Sequence, residues 1–291
     1  MTAATQVRAG RRVVSVKRPD KPLFGEGGAT KLDLARYYTR VAPLMLPQVR
    51  GRPVALERLP DGIDGDRFYV KHPSAPDWVR QVRTTGGRMI MCQDTGSLVW
   101  CADQAALTQH VWLSREPNLG RPDRMVLDLD PPGGGVEAFD ACRTAAHEVR
   151  EVLEGLGLAA YVMTTGSRGL HVHSPLRPEL EDQEVRDMAR AIAERVAAVR
   201  PDDLTTEVRK DARRGRLFVD FLRNGREQLA VAPYAVRARP GAPVAMPVTW
   251  AELDRLETAG DFTIDHERTD CPFSAMGTHA RSPRKALRRL G

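Results

Sequence analysis

The residues best suited to chemistry are Asp128, Asp130 and Asp220. The first two lie in the stretch from Arg124 to Gly135, R-M-V-L-D-L-D-P-P-G-G-G. There Met125, Val126, Leu127 and Leu129 read as a buried strand that the prolines and glycines end. At period two the two carboxylates project from one face of that strand. Like charges that close are costly unless a proton or cation neutralises them, and Mg²⁺ or Mn²⁺ suits an all-oxygen site. The competing reading makes Asp130 the start of a Pro-Gly turn and leaves Asp128 in solvent. Asp220 ends a further apolar run, Leu217-Phe218-Val219. Three carboxylates able to hold two divalent ions are what phosphoryl or nucleotidyl transfer requires: one ion activates the attacking oxygen, the other steadies the leaving group. Thr165-Gly166-Ser167-Arg168-Gly169 adds hydroxyls, a guanidinium and unhindered backbone N–H groups, a set suited to a triphosphate, and His171 and Arg237 extend it. His171 and His173 share a strand face, so a histidine-ligated metal hydrolase is a second reading of the same region.

These residues need elements to hold them together. A strand over 124–130 is followed by a helix over 137–155 with the apolar stripe Phe139, Cys142, Ala146, Val149 and Leu153. Apolar runs at 159–164 and 170–175 come next, then a helix over 183–199 with Val185, Met188, Ile192, Val196 and Val199, and a strand over 217–222. That order is β-α-β-β-α-β, the ferredoxin-like pattern. In its usual strand order of four-one-three-two, the first strand lies between the third and fourth. Asp128, Asp130, Asp220 and the 166–169 turn then meet at one sheet edge.

Upstream, residues 1–17 read as a basic arm with Arg8, Arg11, Arg12 and Lys17. Thr30-Lys31-Leu32-Asp33 has the capping-box pattern of a helix running to about Leu46, with Leu34, Tyr37, Tyr38, Val41 and Met45 inward. Lys31 falls in its first turn, where unpaired N–H groups favour an anion; a solvated lysine is the alternative. Residues 52–71 read as short strands around Pro60-Asp61-Gly62, with Phe68 and Tyr69 facing opposite ways so that at most one joins a core. Residues 80–103 read as hairpins turning at 84–87 and 94–97, followed by a helix containing His110, taken by itself as structural.

The chain has 291 residues, enough for one large domain or two small ones. Its formal charge is +6 despite the acidic patch, and the weighting towards Arg favours a polyanionic partner. Four scattered cysteines have no C-x-x-C pair and make no zinc site. No apolar run approaches the roughly twenty residues that span a bilayer, and the N-terminus lacks the apolar core of a signal peptide. The expectation is a cytoplasmic, nucleoid-associated protein without membrane contact. No heptad or long apolar patch stands out, which favours a monomer.

The motifs resemble the polymerase domain of bacterial ATP-dependent DNA ligase D, within the archaeo-eukaryotic primase superfamily. The resemblance rests on Asp128-Leu129-Asp130-Pro131, on Thr165 to His171, and on Phe218-Val219-Asp220. Asp20-Lys21, Thr30-Lys31, Tyr37-Tyr38, Gly51-Arg52-Pro53, Pro60-Asp61-Gly62 and Asp77-Trp78 add to it, over about residues 18–255. It implies an α+β primase-polymerase fold: an N-terminal α/β module over 18–120, packed on a ferredoxin/RRM-like catalytic core over 121–255 as one compact unit, with a basic tail over 256–291. It also implies a template-dependent polymerase that extends a primer at gaps or double-strand breaks with NTPs or dNTPs, using two Mn²⁺ or Mg²⁺ ions.

By the same resemblance Asp128, Asp130 and Asp220 bind metal and catalyse, while His110, Thr165, Ser167, Arg168, Gly169, His171 and Arg237 bind the nucleotide. Lys21 and Lys31 grip a 5′-phosphate, Phe68 and Tyr69 touch bases, and Lys210 and Arg213 belong to the rim that meets DNA. The family pattern has Ser where Thr165 stands, Lys where Arg168 stands, Phe where Tyr69 stands and Gln where Arg223 stands; an Asn common before the first phosphate lysine is replaced around Arg18-Pro19. No K-x-D-G adenylation motif occurs. The expectation is therefore a stand-alone polymerase that works with a separate ATP-dependent ligase and the end-binding protein Ku in end joining or gap filling. The other readings are a two-metal nuclease or phosphoesterase and a catalytically silent DNA-end-binding module.

Overall fold

The computed structural model describes residues 3–290, which fall into two compact units. The first takes the chain up to Trp112 together with Val231–Ala245 and Phe262–Asp270. The second takes Leu113–Ala230, Met246–Asp261 and the chain from Cys271 onward.

In the first unit the N-terminal stretch is a hairpin rather than an arm: Thr5–Ala9 (β1) pairs antiparallel with Arg12–Val16 (β2). Val14 and Val16 are buried while Arg12, Val13 and Ser15 are exposed, a period-two pattern that the arginines obscure in the sequence. The arm's first two residues lie outside the described residues. Helix α1 (Lys31–Val49) starts as expected, with Thr30 and Asp33 forming a reciprocal capping box, and continues three residues beyond Leu46. It buries Tyr37 and Tyr38 with satisfied hydroxyls, Tyr37 donating to the Tyr234 carbonyl at 2.9 Å and Tyr38 lying 2.8 Å from the Leu107 carbonyl.

The strands β3 (Val54–Arg58), β4 (Phe68–Val70), β5 (Gln81–Thr84), β6 (Gly87–Ile90) and β7 (Ala106–Val111) share one sheet, in which β7–β3–β6–β5 are neighbours and β4 pairs with β3. The hairpin turning at 84–87 forms, but the one expected at 94–97 does not. Asp94 instead caps helix α2 (Thr95–Asp103), accepting from the Ser97 N–H at 2.8 Å, and the apolar run from Leu98 to Ala102 is buried behind it. His110 is accordingly on strand β7 and not on a helix. Ala105, in the left-handed region at φ +50°, reverses the chain between α2 and β7 without a glycine to announce it. Neither Phe68 nor Tyr69 joins the core; they are 49% and 64% exposed.

Glu57 on β3 is buried. It lies 2.9 Å from an Arg67 nitrogen, 3.2 Å from the Tyr69 hydroxyl and 3.5 Å from His110 Nε2. Burial by itself raises the carboxyl, but the His110 ring beside it, the nearby Thr108 hydroxyl and the charges of His110 and Arg67 outweigh it and hold the group at about 2.

The second unit contains β8 (Arg124–Asp130), α3 (Val136–Gly155), β9 (Tyr161–Thr164), β10 (Leu170–Pro175), α4 (Asp182–Ala197), β11 (Leu204–Thr205) and β12 (Leu217–Asp220). Its sheet runs β11–β12–β8–β10–β9, with Pro247–Val248 pairing on the far side of β9. The four strands β12–β8–β10–β9 are the expected four-one-three-two order. Phe139, Cys142, Ala146, Val149 and Leu153 of α3 are buried, as are Val185, Met188, Ile192 and Val196 of α4. At roughly 1.5–3 kcal/mol per large apolar side chain, these stripes outweigh outer-face pairs such as Arg190–Glu194, each worth about 0.3–0.5 kcal/mol. Val199 is exposed because α4 ends at Ala197.

The C-terminal stretch is structured rather than a free tail. Trp250–Leu253 forms α5, Phe273 is buried against Tyr161 and His173, and Pro283–Leu290 forms α6 with Ala286 inward and Arg284, Lys285, Arg288 and Arg289 outward. Its final residue lies outside the described residues.

Two predictions follow from this packing. A Cβ on Gly169 would stand 1.9 Å from the Leu129 carbonyl oxygen, whereas one on Gly155 meets nothing within 4 Å. Gly169→Ala is expected to cost at least the ~1–3 kcal/mol of an overpacked site, and Gly155→Ala to be neutral or slightly stabilising, as read by thermal denaturation. The depressed Glu57 carboxyl contributes stability above its ordinary value of 4.5 and loses it as pH falls through about 2. Chemical denaturation of Glu57→Gln should therefore give a stability curve flatter than wild type between about pH 5 and pH 2, by about 3 kcal/mol.

Candidate active site

Strand pairing in the second unit assembles the carboxylates. His171 on β10 and Asp220 on β12 are both register partners of Asp128 on β8. Directly opposed residues share a face with Cβ atoms about 4.5–5.5 Å apart, so His171, Asp128 and Asp220 form a row across three strands. Asp130 lies on the same face two residues further along β8, opposite Phe218. All three aspartates thus meet at the end of β8, and His171 Nε2 stands 3.5 Å from Asp128 Oδ1.

The two inner carboxylates are not equivalent. Burial raises Asp128, but the His171 ring and the Arg223 guanidinium outweigh it and keep it below the usual carboxylate range. Burial also raises Asp220, and there the charge of Asp128 adds to it, so this carboxyl sits above its usual value. The nearby Cys142 thiol is pushed up to about 12 by burial and then by Asp130 and Asp128.

Three guanidiniums stand among the carboxylates. Arg223 Nε is 3.4 Å from both Asp128 Oδ2 and Asp220 Oδ2. Arg168 and Arg213 approach the two oxygens of Asp130 at 3.3 and 3.5 Å. Arg213 is fixed further by donating to the Glu207 and Val208 carbonyls at 3.0 Å, and its guanidinium lies 3.8 Å from the centroid of the Phe218 ring. The sequence reading did not place Arg223 in the site; its i+3 spacing from Asp220 across a tight turn is the signal available. It also missed Asn224. The buried Asn224 amide accepts from the Val126 N–H at 2.8 Å and donates to the Val126 and Phe221 carbonyls at 2.7 and 2.8 Å. That clamp fixes the turn carrying Arg223 against β8.

The 165–169 turn closes on itself. The buried Thr165 hydroxyl donates to the Gly169 carbonyl at 2.9 Å and lies 3.3 Å from the Gly169 N–H, so it shapes the turn. Ser167 is half-buried and Arg168 exposed at its tip. Gly135, with φ +96°, precedes α3 without a side-chain cap, which leaves first-turn N–H groups for an anion. His173 lies opposite Val126 and is buried, its ring between Phe273 at 5.2 Å and His171 of the carboxylate row at 5.7 Å. Lys210 is exposed on the turn Lys210–Arg213.

Among the described residues no three His, Cys, Asp or Glu side chains form a ready-made metal cage. The donors nevertheless fit a hard cation: they are carboxylate oxygens on one face, and the burial and Asp128 repulsion that raise Asp220 are what a divalent ion offsets.

The remaining sequence-predicted residues belong to the first unit. Lys21 Nζ is 2.6 Å from Asp61 Oδ1. Lys31 is buried and donates to the Asp103 carbonyl at 2.8 Å, with the Asp103 carboxylate 3.8 Å away. Burial pushes its ammonium below the ordinary value, and Arg18, Lys21 and Arg58 push the same way against Asp103. These four side chains form one basic cluster. Phe68 and Tyr69 stay exposed, His110 faces Glu57, and Arg237 is half-buried, its backbone N–H donating to the Pro243 carbonyl at 2.7 Å.

A family model described as LigD, primase-polymerase domain, matches residues 30–271. The multifunctional non-homologous end joining protein LigD of Mycolicibacterium smegmatis is 34% identical over 297 residues, covering 94% of this chain and 38% of that protein. The protein of the same name from Pseudomonas aeruginosa is 33% identical over 298 residues, covering 98% and 35%. The chain thus spans little more than a third of the length of these relatives. The solved structure of the polymerase domain from Mycobacterium tuberculosis ligase D in complex with DNA matches with a TM-score of 0.79 at 31% identity, covering 94% of this chain and 98% of that one. With its aspartates in register and a match over most of its length, the chain belongs to the LigD primase-polymerase domain family.

Proposed function

We propose that this chain is a template-directed nucleotidyltransferase that extends a primer at gaps or broken ends of duplex DNA, using NTPs or dNTPs. The observation that carries the reading is the row His171–Asp128–Asp220 with Asp130 beside it, faced by Arg168, Arg213 and Arg223. The DNA complex of the related polymerase domain supports a DNA substrate. End joining with Ku and an ATP-dependent ligase is the proposed setting, in keeping with the names of the relatives.

Asp128, Asp130 and Asp220 would hold two divalent ions, Mn²⁺ or Mg²⁺. When bound, such ions activate the attacking hydroxyl and neutralise charge on the leaving pyrophosphate. The chain's own residues do the rest. Asp128, held ionised by His171 and Arg223, supplies a permanent negative charge at the centre of the row. Arg168, Ser167 and the uncapped start of α3 present donors to a triphosphate, and Gly169 keeps the turn close against β8. In the first unit His110 and Arg237 are assigned to the nucleotide, Phe68 and Tyr69 to bases, and the cluster around Lys21 and Lys31 to a 5′-phosphate. Lys210 and Arg213 form a rim near DNA.

Asp128→Ala is expected to reduce template-matched addition on a gapped duplex by a factor on the order of 10³ while leaving DNA affinity at fixed salt unchanged. Retained addition in a primer-extension assay would rule the reading out, and release of mononucleotides without added triphosphate would turn it towards a nuclease. Lys31→Gln is expected to lose about tenfold in preference for a 5′-phosphorylated over an unphosphorylated gap, measured by competition binding.

A further inference from the structure

One face of the first unit's sheet gathers side chains around a buried carboxylate. Glu57 on β3 pairs with Tyr69 on β4 and Thr108 on β7, and Ala55 pairs with His110. Glu57, Tyr69, Thr108 and His110 therefore emerge on the same side. Glu57 lies at their centre: Oε1 meets the Arg67 guanidinium at 2.9 Å and the Tyr69 hydroxyl at 3.2 Å, and Oε2 faces His110 Nε2 at 3.5 Å. Arg67 reaches further, its other terminal nitrogen lying 3.5 Å from the carbonyl of Ala238, the residue after Arg237.

We infer that Glu57 is a positioning residue of this enzyme: without touching substrate, it ties the His110 ring, the Tyr69 ring and the segment carrying Arg237 into one hydrogen-bonded unit. The inference rests on the polymerase reading, in which His110 and Arg237 meet the nucleotide and Tyr69 meets bases.

Three physical arguments support it. A buried ion pair is weak evidence for stability, since apolar replacement is often neutral, but it does supply direction. Tyr69 is 64% exposed, yet its hydroxyl is anchored. An exposed ring held by its tip has less freedom to lose when a base stacks on it. In the neutral His110 ring, an acceptor facing Nε2 keeps the proton there and gives Nδ1 the acceptor role, so one carboxylate sets both orientation and tautomer.

The test uses the full chain as wild type, Glu57→Gln, Glu57→Asp and Arg67→Gln. Two readouts are taken: the His110 titration followed by NMR on histidine-labelled protein, and steady-state nucleotide addition on a gapped duplex. Glu57→Gln is expected to lower the His110 midpoint by about one pH unit. It should also raise the KM for the incoming nucleotide about tenfold with kcat changed by no more than about twofold, the pattern of lost positioning without lost chemistry. Glu57→Asp should recover part of both effects. An unchanged His110 midpoint, or an unchanged KM, in folded Glu57→Gln overturns the inference. Should that variant not fold, Arg67→Gln takes its place: a rise in KM upholds the Arg237 arm, and an unchanged KM overturns it. If wild type adds no nucleotide at all, the polymerase reading is what fails, and the His110 midpoint decides whether Glu57 governs that ring.

Discussion

The candidate site depends on the register of two antiparallel ladders, β8 with β10 and β8 with β12. A slip of one residue in either would send His171 or Asp220 to the opposite face of the sheet and dissolve the row around Asp128. Several contacts hold that register. Leu127 and Leu129 alternate with the aspartates and are fully buried, so β8 cannot turn over without exposing them. Gly169 brings the β9–β10 turn against the Leu129 carbonyl more closely than any side chain permits. Asn224 grips both polar backbone groups of Val126. Backbone pairing, apolar burial and one side-chain clamp thus converge on the same geometry, the consistency across levels that a uniquely specified fold shows.

Electrostatics then decides what that geometry tolerates. Unit charges about 4 Å apart interact by about 4 kcal/mol at an effective dielectric of 20, so carboxylates facing one another need cations nearby. The guanidiniums supply them in two ways. Arg213 is built into the architecture by two backbone carbonyls and the Phe218 ring. Arg168 and Arg223 are 44% and 42% exposed and meet the site through the carboxylates themselves. Side chains of the second kind can exchange one anion for another at low cost, whereas Arg213 cannot leave without abandoning its carbonyls.

Much of this arrangement was legible in the sequence because it follows from periodicity. Two carboxylates at i and i+2 on a strand, and a β-α-β-β-α-β order, bring Asp128, Asp130 and Asp220 together with no tertiary information. What stayed hidden has physical reasons. The N-terminal hairpin buries only small patches, and its arginines read as a solvated arm. The strand carrying His110 depends on a left-handed alanine, Ala105, where no glycine marks the turn. Asp94 and Ser97 read equally as turn and cap until the buried run behind them is seen. The C-terminal stretch is held by Phe273 packing on Tyr161 and His173, residues a hundred or more positions away and ones no local pattern connects to it. Arg223 and Asn224 escaped because the partners that tie them to the row, Asp128 and Val126, lie on β8, nearly a hundred residues upstream.

The two charged regions differ in their balance, and the difference bears on what each can bind. At the carboxylate row, Asp128, Asp130 and Asp220 are faced by Arg168, Arg213 and Arg223, so the ionised groups largely cancel. A divalent ion gains there mainly if something else takes up a displaced guanidinium, and a triphosphate carries the charge to do so. In the first unit, Arg18, Lys21, Lys31 and Arg58 are set against Asp61 and Asp103, leaving cations in excess. Burial already disfavours the Lys31 ammonium, and its neighbours repel it further. An arriving phosphate relieves that repulsion among the cations. The first region suits a ligand that brings cations and anions together, and the second suits a bare anion, the division of labour that the proposed function asks of a site for metal and triphosphate and a site for a DNA 5′-phosphate.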